Sequence, residues 1–342
     1  MAILLAVGLT VSDIASAAGV SQATAARALG NYGSVSDGAR EKVLEAANRL
    51  GYRRNELAAA LVAGSTQTIG LVVGDIENPF FATVARGVAD AVEVEGHTLL
   101  LANSDEDLER ERHAVEALRS RQVDGLIVAS SSVEDISLLE SASASGTPVV
   151  LIDRPMPDAK LDTVTVENEA GAEAAVAHLI EVGHRRIGVV TDRPEIASTG
   201  ERLDGYRAAL DQAGLEFDEE LVVEGGPSQE DGRRGALKLL DRADRPTALF
   251  TASNLATYGA LSAIASLGLT IPDDVALIGF DDFPLAEVLA PPISVVSQPV
   301  SQIGQEAGRL LLERLAGEQG PPRRVRLKTA LTVRGSSGGP RS

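Results

Sequence analysis

Apolar side chains over residues 11–50 recur every three or four positions, in three bursts separated by glycine and serine. That spacing predicts three short helices. Thr10 is placed to N-cap a helix over 11–18, with Ile14, Ala15 and Ala18 inward. Gly19 and Val20 make a tight turn, and Ser21 caps a second helix running to Leu29. Ser36 caps a third over 37–50, with Val43, Leu44, Ala47 and Leu50 on one stripe and Gly51 at its end. Two helices meeting across a short glycine turn form a helix-turn-helix. Residues 53–64 differ in character: Asn55 can cap a helix over 56–62, but one so short is marginal without a partner.

From Thr68 onward the period changes. Apolar runs at 69–73, 99–102, 125–128, 148–152, 187–190, 248–251 and 275–279 alternate with amphipathic helical stretches. Such alternation predicts a parallel, doubly wound α/β fold. The pattern nearly restarts after Thr163, which predicts two similar lobes. The glycine- and serine-rich tail, 335–342, reads as disordered.

Length and composition then bound the reading. The 342 residues suggest two or three domains, and 44% hydrophobic residues without an 18-residue apolar run argue against a membrane span. The apolar start, residues 1–9, lacks a basic n-region and a cleavage site, so no signal peptide is expected. Zero cysteines exclude disulfides and thiolate metal sites and fit a reducing cytoplasm. A net charge of −18 argues at first against nucleic acid, because phosphate neutralisation needs Lys and Arg. The distribution of that charge along the chain points the other way. Residues 1–64 carry six bases and five acids, a net +1, whereas the remaining 278 hold 25 bases and 44 acids, a net −19. A nearly neutral head on an acidic body suits a DNA reader whose other domain stays off the phosphates.

The second helix would present Ser21, Gln22, Ala23, Thr24 and Arg27 outward. Gln can read adenine, Arg can grip guanine and Ala can pack on a thymine methyl. From spacing alone, a small protein-interaction cap with solvated polar residues fits as well. In the body, polar and aromatic clusters fall where strands end and helices begin, the mouth of a doubly wound sheet. They are Asp75, Asn78, Phe80 and Phe81; Asp153 and Arg154; Arg202; Asn254; Asp281; and Gln298. Aromatic faces can cover the C–H surface of a sugar ring, and Asp and Arg serve vicinal hydroxyls as bidentate acceptor and forked donor. Each taken alone is equally a surface ion pair, a turn residue or, for the phenylalanines, core.

The run Leu9-Thr-Val-Ser-Asp-Ile-Ala-Ser-Ala-Ala-Gly-Val-Ser-Gln-Ala-Thr-Ala-Ala-Arg-Ala-Leu29 resembles the head of the LacI/GalR family of repressors, as do Val35-Ser36, Arg40-Glu-Lys-Val43 and Leu50-Gly-Tyr-Arg-Arg-Asn55. The likeness extends over roughly 9–334. It departs at Ala25 and Ala26, where the family more often has Val-Ser, at Gly30, often Asn, and at Ser253-Asn254, commonly Asn-Asp. The resemblance implies an α/β architecture with an N-terminal three-helix helix-turn-helix domain (9–54) and a hinge helix and linker (55–66). A two-lobed, doubly wound, periplasmic-binding-protein-like domain (67–334) follows, with lobe 1 near 67–164 and 297–325 and lobe 2 near 165–296 and 326–334. It implies that the hinge, with Asn55, Ala58 and Leu61, orders on DNA, and that Leu61 wedges into the minor groove. It implies that Asn78, Phe80, Phe81, Asp153, Arg154, Arg202, Asn254, Asp281 and Gln298 form a ribose-type pocket. The expected partners are a near-palindromic double-stranded operator, a monosaccharide effector and a second copy of the chain, with no membrane.

No catalytic centre, metal or cofactor is implied. There is no GxxxxGK loop, no GxGxxG after a strand and no GxSxG elbow. Asp281 and Asp282 are adjacent, so on a strand they point to opposite faces. His97, His113, His178 and His184 lack metal spacing and read as solvated or capping. Two other readings share the body: a sugar-binding protein without DNA function, and a sugar-active α/β enzyme.

Overall fold

The computed structural model describes residues 9–30, 33–52, 64–131, 136–154, 156, 158–193 and 196–340. The chain divides into Met1–Thr66 and Gln67–Ser342. Asn55, Ala58 and Leu61 lie outside the described residues.

In the head, α1 (Val11–Ala18) opens on a reciprocal cap. The Thr10 hydroxyl accepts the Asp13 N–H, and the Asp13 carboxylate accepts the Thr10 N–H at 2.8 Å. Gly19 at φ 65° ends it, a left-handed conformation that favours glycine. Helix α2 (Gln22–Gly30) starts at Ser21, whose Oγ accepts the Thr24 N–H at 3.1 Å. Helix α3 (Asp37–Leu50) starts at Ser36, but there the backbone alone caps: the Ser36 carbonyl accepts from Ala39 and Arg40, and its hydroxyl takes no capping bond. The core joins Ile14, Ala15, Ala25, Ala28, Val43, Ala46 and Ala47. Leu44 and Leu50, expected inward, are 45% and 39% exposed. The buried stripe of α3 runs through Val43, Ala46 and Ala47, and that turn of the helix carries both leucines off it.

The body holds two six-stranded sheets. Lobe 1 contains β1 (Thr68–Val73), α4 (Pro79–Glu93), β2 (Thr98–Asn103), α5 (Leu108–Ser120), β3 (Gly125–Val128), α6 (Ser137–Ala144), β4 (Val149–Ile152) and β5 (Asp162–Val166). Lobe 2 continues with α7 (Asn168–Glu181), β6 (Ile187–Thr191), α8 (Ala197–Gln212), β7 (Val222–Glu224), α9 (Gln229–Leu240), β8 (Ala248–Thr251), α10 (Asn254–Ser266), β9 (Ala276–Phe280) and β10 (Ser294–Ser297). The chain then returns to lobe 1 for α11 (Val300–Leu315) and β11 (Arg324–Leu327), and to lobe 2 for β12 (Ala330–Thr332). Strand orders are β11-β5-β4-β3-β1-β2 and β12-β10-β9-β8-β6-β7, all pairings parallel except β10 with β12. The lobe changes therefore fall after Val166, Ser297 and Leu327, one or two residues beyond the boundaries expected from sequence, because each strand completes its ladder before crossing.

Each sheet is covered on both faces. In lobe 1, Leu71, Ile127 and Val150 pack under α4 and α11, while Val72, Leu126 and Leu151 pack on the other side. The α4–α11 contact is close because Gly87 and Gly304 meet there. A Cβ on Gly87 would overlap the Ser301 carbonyl.

The described part of the tail, residues 335–340, is packed on lobe 2. Gly335–Ser337 forms a 3-10 turn in which Ser336 and Ser337 are buried. The Ser336 hydroxyl accepts the Ser294 N–H at 2.8 Å and donates to the Leu277 carbonyl at 2.6 Å. Small polar residues read as disorder in sequence; here their hydroxyls satisfy backbone groups of β9 and β10 that would otherwise be orphaned. The tail also corrects the histidine reading. His184 is buried, bonding Thr247 Oγ1 and the Gly338 carbonyl at 2.9 Å each, and His178 Nε2 lies 3.1 Å from Ser337 Oγ.

Candidate functional site

In the head, Ser21, Gln22 and Ala23 are exposed at the start of α2, and Thr24 and Arg27 are half-buried. The Arg27 Nε donates to the Ala23 carbonyl at 3.1 Å, laying the guanidinium stem along the helix. Ala25 and Ala28 fill the core side of α2. Of the residues expected outward, Ser21, Gln22 and Ala23 are open to solvent, while Thr24 lies one turn before the buried Ala28 and flanks the core.

In the body, the ends of β1, β4, β6, β8, β9 and β10 converge on a cleft between the lobes. Asp153, which follows β4, and Asp281, which follows β9, adopt φ of 70° and 76°. Left-handed backbone costs a residue with a Cβ about 1–3 kcal/mol, and the two lobes hold it the same way. The Asp153 N–H donates to the Val164 carbonyl at 3.0 Å, and the Asp281 N–H donates to the Val296 carbonyl at 2.9 Å. The kink turns both carboxylates, buried on Asp281 and half-buried on Asp153, toward the cleft. Asp282, the next residue, faces away and pairs with Arg334 at 2.9 Å.

The guanidiniums are fixed by protein before any ligand enters. Arg154 donates through Nη1 to the Ser130 carbonyl and through Nη2 to the Glu106 carboxylate, with Nε 3.8 Å from Asp153. Arg202, on α8, donates through Nε to Asn168 Oδ1 at 2.9 Å and through Nη1 to the Ala252 carbonyl at 2.7 Å; neither bond uses Nη2. Its guanidinium lies 3.8 Å over the Phe280 ring, a cation–π contact. Burial pushes the Asp153 carboxyl above its usual range, against the pull of Arg154 and Arg202. Burial likewise raises Asp192, against the Arg193 backbone N–H and the Arg193 charge.

Across the cleft, the Asn254 Nδ2 donates to Asn78 Oδ1 at 2.8 Å, joining the N-terminus of α10 in lobe 2 to that of α4 in lobe 1. Asn78 Oδ1 also caps α4 by accepting the Phe80 N–H at 3.0 Å. Phe80 and Phe81 meet edge to face, with centroids 5.1 Å apart, and both belong to the lobe 1 core while reaching the cleft. Gln298 donates through Nε2 to Asp281. Two buried atoms of the cleft have no hydrogen-bond partner among the described residues: Arg154 Nε and Gln298 Oε1.

Of the expected residues, Asn78, Phe80, Phe81, Asp153, Arg154, Arg202, Asn254, Asp281 and Gln298 line one cavity of about 70 Å³. At ~10–15 Å³ per enclosed water, that is room for roughly five waters. Asp75 does not line it. Its carboxylate accepts the Glu77 N–H at 2.9 Å, closing its own turn. Sequence reasoning missed Glu106, Asp192, Ile196, Ser198, Thr199, Ala252 and Ser253. Asp192 directly follows β6, so the strand-end rule applied to every strand finds it. Glu106 sits three residues past β2 in an acidic turn, and only its contact with Arg154 marks it.

A helix-turn-helix head and a two-lobed body with a polar, aromatic-walled cleft define a ligand-responsive DNA-binding regulator. Residues 10–55 match the bacterial regulatory proteins of the lacI family, and residues 176–337 match the periplasmic binding protein-like domain. The HTH-type transcriptional regulator CelR of Thermobifida fusca is 36% identical over 334 residues, covering 96% of this chain and 98% of the relative. A solved CelR–cellobiose complex is 36% identical, with TM-score 0.73, covering 96% of this chain and 99% of the other. A LacI-family regulator from Enterococcus faecium with bound ribose is 29% identical, with TM-score 0.72, covering 80% and 100%. The chain belongs to the lacI family of bacterial regulatory proteins.

Proposed function

We propose that this regulator is a repressor whose operator affinity is set by one ribose-like monosaccharide held between its lobes. The cavity carries the reading. Its polar groups match a small polyol: carboxylates on Asp153 and Asp281, a guanidinium edge on Arg202, and the two unpartnered atoms, Arg154 Nε and Gln298 Oε1, beside Phe80 and Phe81. A buried donor and a buried acceptor without partners each cost about 1–3 kcal/mol, which a hydroxyl would recover. The ribose bound by the Enterococcus faecium relative supports a pentose. Cellobiose in the CelR complex keeps a disaccharide as the competing ligand.

The head reads DNA through Ser21, Gln22, Ala23, Thr24 and Arg27, with Asn55 and Ala58 of the hinge also on the DNA and Leu61 wedged into the minor groove. Helix-turn-helix readers bind paired half-sites, so the working unit is a homodimer on a near-palindrome, in the cytoplasm where the DNA is. A ligand that contacts both lobes favours one lobe arrangement, and any difference in operator affinity between arrangements becomes the response.

The test is fluorescence anisotropy on the upstream intergenic DNA, with and without a sugar panel that includes ribose and cellobiose. Tight binding to a near-palindrome, shifted by ribose alone, is expected, and the direction of the shift separates release from recruitment. Asp281→Ala and Arg202→Ala should each weaken the sugar response by about tenfold or more, the worth of a bond to a charged group, with operator binding intact. Normal response in both variants would sink the pocket assignment.

A further inference from the structure

Glu106 is the one cavity carboxylate hydrogen-bonded to a cavity guanidinium among the described residues. It sits in a turn where Asp105 and Glu106 both adopt left-handed backbone, at φ 51° and 57°, and its N–H donates to the Gly74 carbonyl at 3.2 Å. The strained turn presses the carboxylate over Gly74, where a Cβ would overlap it, and delivers it to Arg154 Nη2. Around the same cavity stand four carboxylates, on Glu106, Asp153, Asp192 and Asp281, against two guanidiniums, on Arg154 and Arg202. Arg154 is thus neutralised inside the protein, and the remaining lining repels negative charge.

We infer that Glu106 makes the pocket selective for uncharged sugars over phosphorylated or acidic ones, by occupying the guanidinium that would otherwise take an anion. Arg binds phosphate and carboxylate through a two-pronged fork. Both terminal nitrogens of Arg154 are engaged, one with the Ser130 carbonyl and the other with Glu106, and an anion that approaches its Nε or the open edge of Arg202 meets the carboxylates of Asp153, Asp192 and Asp281. Glu106 acts through Arg154, as a positioning and specificity residue. The inference rests on the sugar reading of the same cavity for the identity of the favoured ligand, but not for the exclusion of anions.

The full-length protein and two variants would be titrated with ribose, ribose 5-phosphate and inorganic phosphate, using thermal shift and calorimetry. Glu106→Ala removes the carboxylate and vacates Arg154 Nη2. Gly74→Ala keeps the charge and displaces the carboxylate, which guards against a folding failure in the first variant. Wild type should ignore both anions. Both variants should gain ribose 5-phosphate affinity by about tenfold or more, since a charge-assisted contact becomes available, and Glu106→Asp should restore exclusion. Wild-type protein that binds ribose 5-phosphate as tightly as ribose overturns the inference, as do two folded variants that still exclude anions. Anions admitted only by the variants, with ribose bound by none of the proteins, uphold the role of Glu106 and reject the sugar reading alone.

Discussion

Asp162 begins β5 as a buried carboxylate caught between two guanidiniums. Arg314 reaches it at 2.8 Å and Arg323 at 2.9 Å, and the Arg323 N–H adds a bond at 2.7 Å. Burial alone would raise its pKa, but these bonds outweigh burial and hold it at about 2 against an ordinary value of 3.8. A carboxylate with a depressed folded-state pKa stabilises the fold above its unfolded value. That contribution, about 2 kcal/mol, is lost as pH falls from near 4 through 2. Urea denaturation against pH should show this acid limb, and Asp162→Asn should flatten it while costing ~3–5 kcal/mol at pH 7, because two cations lose their buried partner. An unchanged acid limb in the variant would assign that limb to other carboxylates. Asp162 also ties α11 and the approach to β11 back to β5, so this one residue anchors the chain's return to lobe 1.

Elements show where pattern reading succeeds and where it fails. Strands β1, β3, β4, β6, β8 and β9 are unbroken apolar runs, since both faces of a central parallel strand are covered. Strand β5 escaped notice because its sequence, Asp-Thr-Val-Thr-Val, alternates polar and apolar like a half-exposed strand, yet Thr163 and Thr165 are buried. Strands β7, β11 and β12 are three or four residues long and lie at or beside sheet edges, too short for periodicity to register. The 3-10 turn at Gly335–Ser337 has no periodic signal at all, because side chain–backbone bonds hold it. Ser336→Ala removes a hydroxyl that both accepts and donates, leaving the Ser294 N–H and the Leu277 carbonyl unpaired. Equilibrium unfolding should report a loss of ~1–3 kcal/mol, whereas a disordered tail would give none.

For the whole molecule, three crossings and a few polar contacts join the lobes: Asn254 with Asn78, Arg193 with the Glu106 carbonyl at 3.5 Å, and Arg326 with Glu201. Such contacts are individually weak and exchange readily with water. A ligand bonded to both lobes should therefore dominate their association. At a hundred times its dissociation constant, ribose should stabilise the body by about 2.7 kcal/mol, seen as a raised Tm that Asp281→Ala abolishes. An unchanged Tm at saturation would mean that ribose does not bind the folded state.

The residues themselves determined the two-part organisation, the helix-turn-helix spacing and most of the pocket, for a common reason. Helix caps, glycine turns and strand-end polar residues act locally, and topology places the ends of parallel strands at one mouth whatever the details between. Nine of the ten residues expected there do line the cavity; Asp75 does not, because a carboxylate beside an open turn bonds its own backbone first. Tertiary structure alone decided the partnership of Glu106 with Arg154, 48 positions apart, the contact of Asn78 with Asn254 across the cleft, and the burial of the serine tail. Each depends on which distant backbone or charge lies opposite once the chain has crossed between lobes, and no periodicity in a single sequence encodes that distance.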